Sequence, residues 1–337
     1  MLTELPFSVP ERRVGWSARR PLLVASSGGH LVELVEIASR LPTLADAVWL
    51  TPTTPQSREL LRGAQHLDVP NVKPRDLRGM RRTALVARQV LRTAQIDLVV
   101  STGAGIALAV LPQAVLRGIE THYVESAARV NQPSLTGRLL VAVPGVKMWT
   151  QYPENTTKRR SYLGSLFEHF EVVARDVDPS RPLRIVVTLG TMHRFSFHRL
   201  VTRLLNVLPE GSEVLWQYGS ADARDLGIAD PHAWVSPVDL TAAMESADVV
   251  VAHAGVGSAL AAMRAGAFPI LVPRRVEFGE HIDDHQVQIG THFAARGLAF
   301  SVAVSDVTPE LVHAARHLAL RRARTELGAL SLAEVGP

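Results

Sequence analysis

The stretch "VVVAHAGVGSALAAMRAG", residues 249–266, joins an apolar run to an alanine-rich segment through a turn that contains two glycines. The valines predict a buried strand, and the alanines predict a helix that begins near Gly255, Gly257 and Ser258. Glycines let a phosphate approach the backbone, and a helix N-terminus offers free N–H groups with a partial positive charge. The stretch therefore predicts a strand–turn–helix unit that binds phosphate, the alternative being a plain turn.

Two familiar phosphate motifs do not fit this turn. The third glycine of a dinucleotide-binding G-x-G-x-x-G would fall at Leu260, and no Gly-Lys-Ser/Thr of a P-loop follows. The sequence therefore disfavours a nicotinamide oxidoreductase and a P-loop nucleotidase.

The same alternation of short apolar strands and helices continues on both sides of this stretch. It is typical of parallel sheets covered by helices on both faces. It is interrupted by "DVDPSRP", residues 176–182, which has two prolines and no periodicity. We therefore predict an α/β protein of two doubly wound, Rossmann-like parallel-sheet domains, residues 1–178 and 179–337, facing a central cleft. A long last helix is predicted over residues 308–328, where it could cross back onto the first domain.

Composition narrows the classes of function. The chain of 337 residues has no cysteine, which excludes disulfides, thiolate metal sites and cysteine nucleophiles. No apolar run approaches the roughly 20 residues of a membrane span, and the N-terminal segment lacks the apolar core of a signal peptide. We therefore expect a cytoplasmic protein.

Positive charge is concentrated in the first half of the chain. Residues 1–180 hold 22 Lys and Arg against 16 Asp and Glu, and the excess peaks in a basic cluster: Lys73, Arg75, Arg78, Arg81, Arg82, Arg88 and Arg92. Such a cluster could meet an anionic membrane surface, a pyrophosphate or a nucleic acid, or it could be only a solvated helix face. Because no nucleic-acid recognition motif accompanies it, we expect no nucleic-acid partner.

Polar residues crowd the segment "VPRRVEFGEHIDDHQ", residues 272–286, which follows another predicted strand. Such a group at the carboxyl end of a strand indicates hydrogen bonding to a hydroxyl-rich ligand, although Asp283 or Asp284 could serve only as a helix N-cap. His281 and His285 with the acids could ligate a metal, but the flanking arginines disfavour a cation. Arg274 and Arg275 could pair with a ligand carboxylate, or they could hold Glu277 and Glu280 in place.

A second glycine pair lies in "SSGGHL", residues 26–31, directly after the first predicted strand. Gly28 and Gly29 leave room beside the cleft, and His30 is a candidate general base because histidine titrates near neutral pH. His30 could also be a histidine that only caps or packs. Glu125 is the second candidate base, although Glu125 and Arg129 could equally form an internal ion pair.

These motifs together resemble the glycosyltransferases of family 28. "VVVAHAGVGSALAAMRAGAFPILVPRR" followed by "DDHQ" is similar to the family's C-terminal domain. "SSGGHLVEL", "HYVESAARV" and "WTQYPE" resemble the membrane-recruiting subunit of the two-subunit dolichol-linked N-acetylglucosaminyltransferase, and the first also resembles the glycine-rich loop of MurG. The chain thus resembles both subunits joined in one, as in bacterial exopolysaccharide transferases. The resemblance implies a GT-B fold and a UDP-sugar donor, which is a substrate, so that no cofactor is expected.

The resemblance also implies roles for single residues. It places the donor diphosphate beside the candidates His253, Gly255, Gly257, Ser258, Gly190 and Thr191. It implies that Gln286, with Asp284 or His285, contacts the donor sugar, and that Gly28, Gly29 and Arg129 lie on the acceptor side. One position departs from the family, because Ala261 stands where a glutamate usually binds the ribose. The ribose would then be held by a backbone group or by Glu280.

The implied reaction is inverting, metal-independent transfer of a sugar to a lipid-linked saccharide or similar acceptor. The donor would be UDP-glucuronate, if Arg274 and Arg275 meet a carboxylate, or UDP-N-acetylglucosamine. A polyprenyl-diphosphate acceptor implies peripheral contact with the inner membrane face, through the basic cluster or through Leu2, Phe7 and Trp16. A UDP-sugar 2-epimerase of the same architecture and a non-glycosyl nucleotide-binding protein remain alternatives.

Overall fold

The fold is described from a computed structural model. The structure describes residues 20–40, 46–72, 76–190, 195–219, 227–228 and 230–323. Several residues of the sequence predictions lie outside these ranges, namely Leu2, Phe7, Trp16, Lys73, Arg75 and Thr191.

Strands and helices alternate along most of the chain. The strands are β1 (Pro21–Ala25), β2 (Val48–Thr51), β3 (Gln65–Asp68), β4 (Leu98–Gly103), β5 (Glu120–Val124), β6 (Val146–Thr150), β7 (Ser161–Tyr162), β8 (Phe170–Ala174), β9 (Arg184–Thr188), β10 (Glu213–Gln217), β11 (Pro231–His232), β12 (Val249–His253), β13 (Pro269–Val272), β14 (Phe300–Ser301) and β15 (Leu318–Arg322). The helices are α1 (Gly29–Ala38), α2 (Pro55–Leu60), α3 (Leu77–Thr93), α4 (Gly105–Val115), α5 (Leu135–Leu140), α6 (His198–Val207), α7 (Pro237–Ser246), α8 (Val256–Arg264), α9 (His285–Ala295) and α10 (Pro309–Arg316). None of the helices in the described ranges is long and apolar enough to cross a bilayer.

The first sheet has seven parallel strands in the order β3-β2-β1-β4-β5-β6-β7. Leu22, Leu23 and Val24 of β1 are fully buried, because helices cover both faces of the sheet. The strand order reverses between β1 and β4. In open α/β sheets the crevice beyond the carboxyl ends of two such strands is where ligands bind.

The second sheet repeats this arrangement with six strands, in the order β11-β10-β9-β12-β13-β14. Its strands are also parallel, and the order reverses between β9 and β12. The prediction of an α/β protein with two doubly wound parallel sheets is therefore confirmed. The predicted boundary between residues 178 and 179 lies between β8 and β9 and stays a prediction.

The two halves of the chain share one apolar cluster. Leu31 and Leu34 of α1 belong to the same cluster of buried side chains as Val256 and Leu260 of α8. Burial of these apolar groups holds the N-terminal ends of the two helices close together.

The prediction of one long last helix over residues 308–328 is wrong in part. The helix α10 ends at Arg316, and the chain continues as β15, which pairs antiparallel with β8. Arg322 at the end of β15 donates to Glu36 of α1 at 3.1 Å, so the chain does return to the first sheet's helices, but as a strand. Residues 324–328 lie outside the described residues.

Candidate active site

His30 lies at the point where the strand order of the first sheet reverses. The chain leaves β1, turns at Gly28 with a φ of 86°, and begins α1, so that His30 stands beside the end of β4. Its Nδ1 lies 2.9 Å from the carbonyl oxygen of Thr102, and the Thr102 hydroxyl donates to the His30 carbonyl at 2.8 Å. The first contact orients the imidazole, and the second holds the backbone of His30 beside the end of β4.

The hydrogen bond to Thr102 determines the tautomer of His30. Because a carbonyl oxygen can only accept, Nδ1 must carry the hydrogen, and in the neutral ring Nε2 then has the lone pair. Burial, and to a smaller extent the charges of Arg129 and His285, lower the pKa of His30 to about 4. The ring is therefore neutral at pH 7, and Nε2 can accept a proton.

The predicted phosphate-binding turn lies where the strand order of the second sheet reverses. The helix α8 begins at Val256 with Gly255 as its N-cap, and no side chain of the described residues caps it. The first N–H groups of such a helix have no partner within the helix. Gly257 and Ser258 belong to this first turn, and the diphosphate site predicted there stays a prediction.

His253, at the end of β12, is packed between two glycines. A Cβ atom at Gly190 would lie 2.5 Å from Nε2 of His253, and one at Gly255 would lie 2.7 Å from its Cε1. Gly190 also has a φ of 76°, which side chains with a Cβ rarely adopt. Burial lowers the pKa of His253 to about 3, so the ring is neutral. The sequence places Thr191 next to Gly190, but Thr191 lies outside the described residues.

The two glycine turns meet. A Cβ atom at Gly257 would lie only 3.5 Å from Cα of Gly29. The N-termini of α1 and α8 therefore converge, each with the partial positive charge of a helix N-terminus. An anion beside this junction would relieve their mutual repulsion. The structure thus brings His30, Gly29 and the predicted diphosphate turn to one place.

Asp283 is the centre of a polar cluster on the other side of the crevice. Its carboxylate accepts hydrogen bonds from Nδ1 of His285 and lies 3.2 Å from Nδ1 of His281. Arg129 of the first half lies 3.6 Å from it. These two histidines, and then Arg129, hold the pKa of Asp283 well below its usual range. Among the described residues, Arg129 therefore has its ion pair with Asp283, and the predicted alternative of a Glu125–Arg129 pair is not observed.

Gln286 and Asp284 differ in what they contact. Gln286 is buried, and its Oε1 accepts from the backbone N–H of Arg274 at 3.1 Å. Asp284 is exposed at the N-cap of α9 and accepts from the backbone of Val276 at 3.3 Å. Gln286 is thus oriented by its own loop, whereas Asp284 is open to solvent.

Arg274 and Glu280 have structural partners. The buried guanidinium of Arg274 donates to the backbone carbonyls of four residues, Leu189, Phe195, Ser196 and Glu280. Both carboxylate oxygens of Glu280 accept from Arg199, at 2.8 and 3.0 Å. These contacts do not support the predictions that Arg274 meets a donor carboxylate and that Glu280 holds the ribose.

Glu125, the second candidate base, lies in the interior of the first domain. It is 3 % exposed, and one of its oxygens accepts from the hydroxyl of Tyr123 at 3.2 Å. Its other oxygen has no hydrogen-bond partner among the described residues and faces Gly137, where an added Cβ would lie 2.0 Å away. A base must reach the hydroxyl it deprotonates, so this position favours His30.

One group of side chains could hold a metal ion. His281, Asp283 and His285 each offer a ligand atom, and these atoms lie within 4.8 Å of one another. Two imidazoles and a carboxylate suit a transition metal such as zinc. The guanidinium of Arg129, 3.6 Å from the same carboxylate, disfavours an added cation.

Sequence reasoning missed the roles of Thr102, Asp283 and Glu33. The sequence indicates Asp283 as one acid of a polar segment and as a candidate helix cap, but it gives no signal that Asp283 pairs with Arg129. Thr102 contacts His30 through both its carbonyl oxygen and its hydroxyl, and nothing in the local sequence marks it as a partner of His30. Glu33 is a buried carboxylate on α1 that the helical pattern treats as an ordinary surface residue.

Comparison with known proteins identifies a family domain in the second half of the chain. Residues 184–326 match the glycosyltransferase family 28 C-terminal domain. The UDP-N-acetylglucosamine--N-acetylmuramyl-(pentapeptide) pyrophosphoryl-undecaprenol N-acetylglucosamine transferase of Polaromonas naphthalenivorans is 25% identical over 66% of this chain and 63% of its own length. The chain thus spans somewhat less than two thirds of that relative.

Two solved structures show the same fold. MurG of Acinetobacter baumannii is 19% identical and superposes with a TM-score of 0.57 over 88% of this chain and 89% of its own. The glycosyltransferase SnogD of Streptomyces nogalater is 19% identical, with a TM-score of 0.59 over 89% of this chain and 91% of its own. The chain has the GT-B fold of these enzymes, and its residues 184–326 are a glycosyltransferase family 28 C-terminal domain.

Proposed function

We propose that the chain is an inverting glycosyltransferase that moves a sugar from a UDP-sugar to a hydroxyl of a polyprenyl-diphosphate-linked saccharide. The observation that carries this proposal is the junction of the two glycine turns, with the neutral His30 beside the uncapped N-terminus of α8. One turn suits the donor diphosphate, and the imidazole suits the acceptor hydroxyl.

The reaction follows from this arrangement as a single displacement. The acceptor oxygen attacks the anomeric carbon, the bond between that carbon and the phosphate oxygen breaks, and the hydroxyl proton passes to Nε2 of His30. The N–H groups of the first turn of α8 stabilise the negative charge that grows on the departing UDP. The anionic diphosphate in turn stabilises the imidazolium. Attack from the face opposite the leaving group inverts the anomeric configuration.

UDP-N-acetylglucosamine is the donor we favour. The name of the relative from Polaromonas naphthalenivorans includes this nucleotide sugar and an undecaprenol-linked acceptor. UDP-glucuronate loses its main support, because Arg274 donates to backbone carbonyls. Ala261 stands where the family's glutamate would bind the ribose, and Glu280 is already held by Arg199, so we propose a backbone contact to the ribose.

Measuring turnover tests the proposed function. Wild-type protein is incubated with UDP-N-acetylglucosamine and a polyprenyl-diphosphate saccharide, with UDP-glucuronate and UDP-glucose in parallel reactions. We expect an elongated product of inverted configuration, dependent on acceptor and unchanged by a chelator. Epimerised sugar nucleotide formed without acceptor would instead identify a 2-epimerase. Loss of turnover with the chelator, restored by a divalent metal, would overturn metal independence.

Membrane contact through α3 is a second part of the proposal. Arg78, Arg81, Arg82, Arg88 and Arg92 are all exposed on this helix. Leu77 and Leu85 are 76% and 57% exposed beside them. Basic and apolar side chains on one helix suit an anionic membrane surface, where the polyprenyl acceptor would lie.

Vesicle co-sedimentation tests this contact. We expect binding to anionic vesicles at low salt and its loss at high salt. Because each basic residue contributes about 1 kcal/mol, replacing Arg81, Arg82 and Arg88 by Gln should weaken binding on the order of 100-fold. The matched control replaces Arg184 and Arg321, two exposed arginines elsewhere, and should bind as the wild type does. Equal binding to neutral vesicles would contradict the proposal.

A further inference from the structure

A buried carboxylate lies one helical turn after His30. Glu33 of α1 is only 1% exposed. Its Oε1 accepts from the Ser126 hydroxyl at 2.6 Å, and its Oε2 accepts from the Ala127 N–H at 2.9 Å and from the Gln151 amide at 3.2 Å. All three donors are neutral, so this is not a buried ion pair.

Such a group is costly to bury. A carboxylate in the interior needs hydrogen bonds to offset the loss of water, and neutral donors offset it only in part. Burial raises the pKa of Glu33 to about 7, although its hydrogen bonds act in the opposite direction. A group kept at this cost is best explained by what it holds in place.

Glu33 holds the tight turn that follows β5. Ser126 accepts from the Ala128 N–H at 3.1 Å through its hydroxyl and from the Arg129 N–H at 2.9 Å through its carbonyl. The Ala127 carbonyl accepts from the Tyr152 hydroxyl at 2.5 Å. The backbone of residues 126–129 is therefore fixed on both sides, with Glu33 as its support from α1.

This turn carries Arg129 across the crevice. Arg129 lies 3.6 Å from Asp283, whose carboxylate gathers His281 and His285 at the start of α9. The helix α1 thus bears both the candidate base and the carboxylate that positions the arm reaching the donor side.

We propose that Glu33 is a positioning residue for sugar transfer. By fixing the turn of residues 126–129, it sets where Arg129 meets Asp283, and so sets the geometry between His30 and the segment of Asp283 that precedes α9. This inference rests on the proposed function, and it gives Glu33 no contact with either substrate.

A double-mutant cycle tests the inference through kcat. A displacement of about 1 Å can lower a rate about 100-fold, so we expect Glu33→Ala and Arg129→Ala each to lower kcat by about that factor. If Glu33 acts through Arg129, the double variant should stay within about threefold of the slower single variant. The affinity for UDP, measured by calorimetry, should not change. If the double variant lowered kcat by the product of the two single factors, the inference would be overturned.

Glu36 provides the matched control on the same helix. It is also buried, but its carboxylate pairs with Arg264 at 3.0 Å and Arg322 at 3.1 Å, away from the turn. Glu36→Ala should lower stability, and its effect on kcat should multiply with that of Arg129→Ala. Glu33→Gln keeps an oxygen that accepts from the Ala127 N–H, and its NH₂ group can donate to the Ser126 hydroxyl oxygen with the direction of that hydrogen bond reversed, so it should restore most of the activity lost in Glu33→Ala.

Amide hydrogen exchange tests the positioning without any substrate. We expect faster exchange at residues 127–129 in Glu33→Ala than in the wild type or in Glu36→Ala, and unchanged exchange there would overturn the inference. Should Glu33→Ala not fold, Ser126→Ala removes the 2.6 Å hydrogen bond from the other side and is measured in the same two ways. Absent wild-type turnover would count against the proposed function, and the exchange result would still decide the role of Glu33 in the turn.

Discussion

His30→Ala is expected to lower sugar transfer by about 10²- to 10⁴-fold, the usual contribution of a general base, while leaving the affinity for UDP nearly intact. The variant removes Nε2, the proton acceptor. It leaves the uncapped N-terminus of α8 unchanged, because that turn belongs to the other sheet. Transfer is measured by product formation and the UDP affinity by calorimetry.

His66 supplies the matched control for this prediction. Its ring also contacts a backbone carbonyl, that of Thr51 at 2.9 Å, but on β3 rather than at the crevice. His66→Ala should therefore retain transfer. A loss of UDP binding in His30→Ala would instead assign His30 to the donor site.

The dependence of transfer on pH follows from the same residue. His30 must be neutral to act, and its pKa in the free protein is about 4. Activity that depends on His30 is therefore lost as pH falls through about 4, and not near 6.5 as for an exposed histidine. The acid limb of the kcat/KM profile reports this free-protein pKa. The acid limb of the kcat profile should lie at higher pH, because the bound diphosphate favours the imidazolium and so raises the pKa of His30. If the acid limbs of both profiles lay at pH 6.5, the assignment of His30 as the base would be contradicted.

Gly190→Ala is expected to abolish most donor binding. The added Cβ would lie 2.5 Å from Nε2 of His253, so the ring must move towards the diphosphate turn or the backbone must shift. The φ of 76° adds backbone strain of about 1–2 kcal/mol for any residue with a Cβ. We expect UDP affinity to fall at least tenfold, which corresponds to about 1.4 kcal/mol.

Gly211→Ala separates the strain from the contact. Gly211 has a φ of 79°, and nothing lies within 4 Å of its added Cβ. Its substitution should lower the free energy of unfolding by a similar strain term and leave UDP affinity unchanged. Equal UDP affinities in the two variants would show that His253 does not shape the donor site.

The sequence predicted the strands and helices that surround the crevice, because each is encoded by its own local pattern. Buried apolar runs such as "PLLVA" predict β1, and the glycines at its end predict the turn before α1. The last strand could not be predicted in this way. Leu318–Arg322 has strong helix formers, and it becomes β15 because β8, about 150 residues earlier, offers an edge for pairing.

The residues of the candidate site could likewise be predicted only in part. The positions of His30, Gly255 and Gly257 follow from the rule that parallel strands present their carboxyl ends to ligands. The roles of Arg274 and Glu280 could not be predicted, because their partners Leu189 and Arg199 are distant in sequence. A charged side chain looks the same in sequence whether it meets a ligand or another part of the chain.

The most direct test of the account is the titration of His30 by NMR, followed through its ring signals with and without UDP. The neutral imidazole lies beside the turn that we propose binds the diphosphate. In the free protein the signals should therefore titrate near pH 4, and saturating UDP should move the midpoint to higher pH, because the diphosphate stabilises the imidazolium. The same midpoint with and without bound UDP would contradict the central claim that His30 and the diphosphate turn form one site.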